Sequence, residues 1–124
     1  LAHYETTGKE IINTVSNIGG FVSGIGTGGT LMGIAKKLKE NNKNIKIVAL
    51  EPKNMPLISQ NKIISNHKIE GIGDDFIPKI VDKNLIDDIY LIDDVSIDFC
   101  AWFFSGAGAL LSMPLSITSP VFKV

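Results

Sequence analysis

Arginine is absent from this chain, and all 12 of its basic residues are lysines spread along 124 positions. With 13 acidic residues the formal charge is -1, so no basic face recommends nucleic acid or an anionic membrane as a partner. A single cysteine, Cys100, rules out an internal disulfide and a zinc-type cluster, and suits a reducing cytoplasm. Its apolar neighbours argue for packing rather than a nucleophilic thiol. No Gly-Lys-Ser or Gly-Lys-Thr follows a glycine turn, which removes the nucleotide P-loop. Charge is also missing between Asp98 and Lys123. Residues 99–117 are apolar over a length that raises the question of a membrane span. Gly106, Gly108, Pro114 and interspersed serines answer it in the negative, and no basic flank sets an orientation. Trp102-Phe103-Phe104 then reads as packing material rather than a base-stacking platform. Leu1 stands where a methionine or a signal segment would, so the chain reads as a piece of something longer.

The most informative stretch is Gly24-Ile25-Gly26-Thr27-Gly28-Gly29-Thr30. Phe21-Val22-Ser23 before it reads as a buried strand. Leu31, Ile34, Ala35 and Leu38 after it recur at helical spacing, with Lys36, Lys37, Lys39 and Glu40 on the opposite side. A glycine turn that opens a helix exposes amides with no intrahelical partner, at the positive end of the helix dipole. Glycines let an anion approach the backbone, and Thr27 and Thr30 add hydroxyl donors. The stretch therefore reads as a phosphate cradle. Gly24-x-Gly26-x-x-Gly29 also fits a dinucleotide fingerprint, with Glu51 about 20 residues on, where a ribose-binding acid belongs. Both readings stand on local grounds.

In chain order, Thr7-Gly8-Lys9-Glu10 has capping-box spacing, with Thr7 as the cap and Glu10 reaching back. Ile11, Ile12 and Val15 continue the apolar stripe, and Gly19-Gly20 is expected to end that helix. His3 has no catalytic partner at motif spacing. Strands are expected over 20–25, 45–50 and 89–92, with a helix over 30–40 and a polar turn at Asn41-Asn42-Lys43-Asn44. The first two strands and their crossover helix make a βαβ unit, which sets the fold class as α/β with a parallel sheet. A short helix is expected near Met55-Pro56-Leu57-Ile58, a loop over a site at 67–78, and a helix start at Asp93-Asp94. The pairs Asp74-Asp75 and Asp87-Asp88 read as solvated turns, because neighbouring carboxylates on one loop lack converging metal partners.

These segments together carry a resemblance. Thr6-Thr7-Gly8-x-Glu10-Ile11, Ser23-Gly24-Ile25-Gly26-Thr27-Gly28-Gly29-Thr30, Glu51-Pro52 and His67-Lys68-Ile69-Glu70-Gly71-Ile72-Gly73-x-x-Phe76-Ile77-Pro78 are similar, in order and spacing, to cysteine synthase (O-acetylserine sulfhydrylase). That family belongs to the fold-type II, tryptophan-synthase-β-like group of pyridoxal-phosphate enzymes. The resemblance covers about residues 2–97 and implies a three-layer α/β/α fold. It further implies that Gly26, Thr27, Gly28, Gly29 and Thr30 hold the 5′-phosphate of pyridoxal phosphate, that Glu51 is an ordinary strand-end residue, and that the loop at Gly71 lines the amino-acid side. Ser105, in a partial Ser105-Gly106-Ala107 match, corresponds to the serine that bonds the pyridine nitrogen. Phe104 replaces the serine expected before it, and the helix leading there is too short. The expected organisation is a partial cofactor-binding catalytic domain over 1–98 and a divergent apolar tail over 99–124, read out of frame or spliced from elsewhere.

The implied reaction is β-replacement of O-acetylserine by sulfide, giving cysteine and acetate, in a cytoplasmic homodimer. The lysine that binds the cofactor covalently in the family lies upstream of Leu1. No catalytic residue or metal ligand is assigned, and the chain alone is expected to lack synthase activity. The alternatives are a cystathionine β-synthase-like fragment and a non-catalytic phosphate- or dinucleotide-binding module.

Overall fold

Strand β2 (Lys46–Pro52) runs between β1 (Gly20–Gly24) and β3 (Asp88–Ile92) as the centre of a three-stranded parallel sheet in the computed structural model, which describes residues 2–93. Phe21 pairs with Ile47, Ser23 with Ala49, and Glu51 with Leu91. Side chains alternate along a strand, so Ile47, Ala49 and Glu51 share one face while Val48 and Leu50 share the other. Helix α3 covers the first face.

That helix makes the crossover the sequence announces. It spans Gly29–Asn41 and buries Leu31, Ile34, Ala35 and Leu38, which pack with Ile25, Ile45, Ile47 and Ala49 in one apolar cluster. Each of these leucines and isoleucines contributes about 1.5–3 kcal/mol by leaving water, and the two alanines less. Lys36 and Glu40 stay exposed, as the period requires. Helices α1 (Ala2–Glu5) and α2 (Thr7–Thr14) pack on the outer side of α3. A short α4 (Leu57–Gln60) and a 3-10 turn at Lys83–Leu85 complete the described elements.

The sheet follows expectation closely, whereas the N-terminal helix does not. Thr7 is not a cap: α1 runs directly into α2, Thr6 takes the cap position, and neither threonine caps through its side chain. The Thr6 hydroxyl donates to the Ala2 carbonyl at 2.9 Å, and Thr7 Oγ1 lies 3.1 Å from His3 Nδ1. The Thr6 amide itself continues the preceding helical turn by donating to the Ala2 carbonyl at 2.9 Å, so the chain enters α2 from a turn rather than from an extended segment that a side-chain cap would close. The helix also stops at Thr14, well before Gly19. Asn17, with φ 59°, takes the left-handed conformation, and Gly20 opens β1.

At the N-terminal rim of the sheet Asp87 joins three elements. Its carboxylate accepts from Lys39 Nζ and from the Ile47 amide, each at 2.7 Å, and its own amide donates to the Ile47 carbonyl at 2.8 Å. Of the helix start expected at Asp93-Asp94 only Asp93 is described, in irregular backbone after β3; the chain boundary expected at 98, Cys100 and Trp102-Phe103-Phe104 lie outside the described residues. Among those residues no helix is long and apolar enough to cross a membrane.

Candidate functional site

Parallel strands bring their C-terminal ends to one rim, and there the glycine turn sits. β1 ends at Gly24, and the Ile25 amide still reaches the Leu50 carbonyl at 3.2 Å. The chain then reverses through Gly26, Thr27 and Gly28. Gly28 occupies the N-cap of α3 with φ 81° and ψ -9°, where any side chain is strained. The first bond of the helical ladder runs from the Met32 amide to the Gly28 carbonyl at 2.9 Å. The amides of Gly29, Thr30 and Leu31 therefore precede the ladder, and the helix dipole adds positive potential beside them.

The turn has an open side. A β-carbon built on Gly29 meets nothing nearer than Thr27 Oγ1, at 3.9 Å. Thr27 and Thr30 are exposed. The structure thus gathers Gly26, Thr27, Gly28, Gly29 and Thr30 around a run of backbone donors next to free space, an arrangement able to take an anion of phosphate size.

Packing closes the turn's other sides. A β-carbon on Gly26 would lie 2.5 Å from the Gly71 carbonyl oxygen, and one on Gly28 would lie 2.9 Å from Val81 Cγ2. Gly24 is covered by the side chain of Ile72. The segment from His67 to Gly73 is therefore in direct contact with the turn, and the Gly73 amide ties it there by donating to the Ile25 carbonyl at 2.9 Å. Gly71 and Gly73 both have positive φ, 80° and 75°, so this approach depends on glycine. His67 spans the same loop: Nε2 lies 2.9 Å from the Gly73 carbonyl oxygen, and Nδ1 accepts from the Ile69 amide at 3.2 Å.

Glu51 departs from the ordinary strand-end role. It is 1% exposed. Its carboxylate accepts from the Ile58 amide, the Ser59 amide at 3.2 Å and the Ser59 hydroxyl at 2.6 Å. These bonds fix the start of α4 to the end of β2, and Lys83 Nζ holds the Ile58 carbonyl from the other side at 2.6 Å. Both carboxylate oxygens are engaged inside the chain, so the acid that a dinucleotide reading requires is already occupied. Nothing in the local sequence announces this, because the partners lie seven and eight residues along a segment without periodicity.

A narrow cleft lies between the turn and α4, bordered by Ile25, Gly26, Met55, Ile58, Gly73 and Phe76. Phe76 is 59% exposed at its edge. A wider groove on the outer helices, between Lys9, Asn13, Lys37 and Glu40, is remote from the glycine turn. Asp74 borders the cleft, with Asp75 next in sequence, and among the described residues no group of three His, Cys, Asp or Glu side chains is placed to hold a metal. Ser105 lies outside the described residues.

Comparison with known proteins agrees with this geometry. The model of the family described as pyridoxal-phosphate dependent enzyme matches residues 1–110. Cystathionine beta-synthase of Saccharomyces cerevisiae is 40% identical over 121 residues, covering 89% of this chain and 24% of that protein. Cysteine synthase of Buchnera aphidicola is 48% identical over 98 residues, covering 73% of this chain and 30% of its own length. A hydrogen sulfide-producing enzyme from Fusobacterium nucleatum has the same fold, with a TM-score of 0.77 at 42% identity over 84% of this chain and 35% of that one. The chain spans 24% to 35% of the length of these relatives. By its parallel sheet flanked by helices, its glycine turn and these matches, the chain belongs to the pyridoxal-phosphate dependent enzymes of fold type II.

Proposed function

We propose that this chain carries the phosphate-gripping part of a pyridoxal-phosphate site in an enzyme of cysteine-synthase type. The reaction breaks the Cβ–O bond of O-acetylserine, releases acetate, and forms a Cβ–S bond from sulfide to give cysteine. The open backbone at Gly29, directly behind the left-handed Gly28 and at the mouth of α3, is the observation that carries this reading. A terminal phosphate dianion needs several convergent donors and close backbone approach, and this turn has both. The residues present thus fit the group.

Gly26, Thr27, Gly28, Gly29 and Thr30 hold the 5′-phosphate in this reading. The Gly71 loop shapes the amino-acid side, and Ser105 is assigned as the partner of the pyridine nitrogen on the sequence resemblance alone. Bound there, the cofactor supplies the electron sink that labilises the substrate's α-proton and β-substituent. The chain's own residues grip and orient, and none of its lysines is assigned a catalytic role. A cytoplasmic homodimer acting on small molecules is part of the same proposal. Cystathionine β-synthase chemistry, with a different nucleophile at the same site, is the second reading, favoured by the yeast relative's match across 89% of the chain.

Thermal-shift titration tests the grip. Pyridoxal 5′-phosphate is expected to raise the melting temperature, inorganic phosphate to compete, and pyridoxal and NAD to leave it unchanged. A response to NAD, or an equal response to pyridoxal, overturns the assignment. Sulfide set against competing thiols, in the protein bearing the whole site, separates the two chemistries.

A further inference from the structure

The ring of His67 has two neighbours of opposite kind, and they dictate its hydrogen. Nδ1 lies 3.2 Å from the Ile69 amide, a donor, so it must present a lone pair. Nε2 lies 2.9 Å from the Gly73 carbonyl, an acceptor, so it must carry the hydrogen. A ring with hydrogen on Nδ1 would set two donors face to face and leave the Gly73 carbonyl without this partner. The fit is tight as well as polar: a β-carbon on Gly73 would lie 2.7 Å from Nε2 and 2.5 Å from Pro52 Cγ.

What the ring holds is the glycine apex of its own loop. Gly71 and Gly73 carry φ of 80° and 75°, a conformation glycine enters freely and also leaves freely. Something must therefore select it. His67 closes the loop from Ile69 to Gly73, the Gly73 amide bonds the Ile25 carbonyl at 2.9 Å, and the Gly71 carbonyl presses on Gly26 of the phosphate turn. We infer that His67 is a positioning residue: its ring, donating through Nε2 and accepting through Nδ1, fixes the substrate-side loop against the glycine turn and so sets the shape in which the amino-acid substrate is received. The functional half of this inference rests on the cysteine-synthase reading, whereas the structural half does not.

The test uses the full chain and three variants. Asn at 67 keeps an acceptor near Nδ1 for the Ile69 amide, Gln keeps a donor near Nε2 for the Gly73 carbonyl, and Ala keeps neither. Long-range proton–nitrogen NMR of the ring is expected to show the Nε2-protonated tautomer. Exchange of the Gly73 amide is expected to rise about tenfold in His67→Ala and to return most of the way in His67→Gln, while His67→Asn restores Ile69 alone. In the protein bearing the whole site, loaded with pyridoxal 5′-phosphate, His67→Ala is expected to weaken O-acetylserine binding about tenfold without changing the cofactor's own affinity. An Nδ1-protonated ring, or Gly73 exchange indifferent to residue 67, overturns the inference even if the Ala variant fails to fold, because the native tautomer and the Gln and Asn variants still report. Failure of the chain to take up the cofactor strikes the cysteine-synthase reading and leaves tautomer and exchange to decide the role of His67.

Discussion

Gly26 and Gly71 are in such close register that a single added methyl group on the former would meet the carbonyl oxygen of the latter at 2.5 Å. The obstacle is backbone, itself tied down by the Gly73–Ile25 hydrogen bond, so it cannot swing aside as a long side chain can. Gly26→Ala is therefore expected to cost about 1–3 kcal/mol of stability, read from the urea midpoint. It should also speed amide exchange across 69–73. An unchanged midpoint would show that the loop is not seated on the turn.

Gly28 and Gly29 are neighbours in sequence and should behave as opposites. Gly28→Ala places a side chain at φ 81° and 2.9 Å from Val81 Cγ2, an expected loss of about 1–3 kcal/mol. Gly29→Ala puts a methyl group into open space at the first position of α3, where alanine gains up to about 1 kcal/mol over glycine. That methyl group also stands where phosphate is proposed to approach. Unfolding and pyridoxal-phosphate titration together should show Gly29→Ala as no less stable than the parent yet at least about tenfold weaker in binding.

Removal of the Glu51 carboxylate deprives the Ile58 amide and the Ser59 amide and hydroxyl of their acceptor. Glu51→Ala is expected to cost about 3 kcal/mol or more, since buried donors are left unpaired. Glu51→Gln keeps one acceptor oxygen and should lose less. Equal midpoints for the two variants would show that packing, not acceptance of these bonds, is what Glu51 contributes.

Asp87 sets an acid limit on stability. Burial raises its carboxyl pKa, but the Lys39 hydrogen bond, the Ile47 amide and the charges of Lys39 and Lys46 outweigh burial and leave it below the ordinary 3.8. A depressed folded value means stability that is fully present above 3.8 and lost as pH falls through the lower folded value. Asp87→Asn is expected to cost about 1–2 kcal/mol at neutral pH, and the gap from the parent should close in acid. Urea midpoints measured from neutral pH down through the acid range check both parts.

How much of this was legible beforehand follows from the range over which each interaction acts. The strand, turn and helix around Gly24 to Thr30 rest on nearest-neighbour periodicity, and there expectation and structure agree to within a residue or two. β3 and the short α4 were likewise visible from composition and flanking residues. Thr7 failed as a cap because a helical turn precedes it, and four residues are too few to show a period. Glu51 was in view as a ribose-binding acid or an ordinary strand-end residue, and His67 only as a letter in a motif. Their partners are fixed by irregular loops folding back over the end of β2, and no spacing rule encodes such a return.

The brace of Asp87, Lys39 and Ile47 lies at the opposite rim of the sheet from the glycine turn, with the length of β2 between them. Substitutions at the two rims share no partner, so their free energies should simply sum. Such insulation gives selection, or a protein engineer, an independent dial: robustness can be adjusted at one end of the strands while ligand chemistry at the other goes undisturbed.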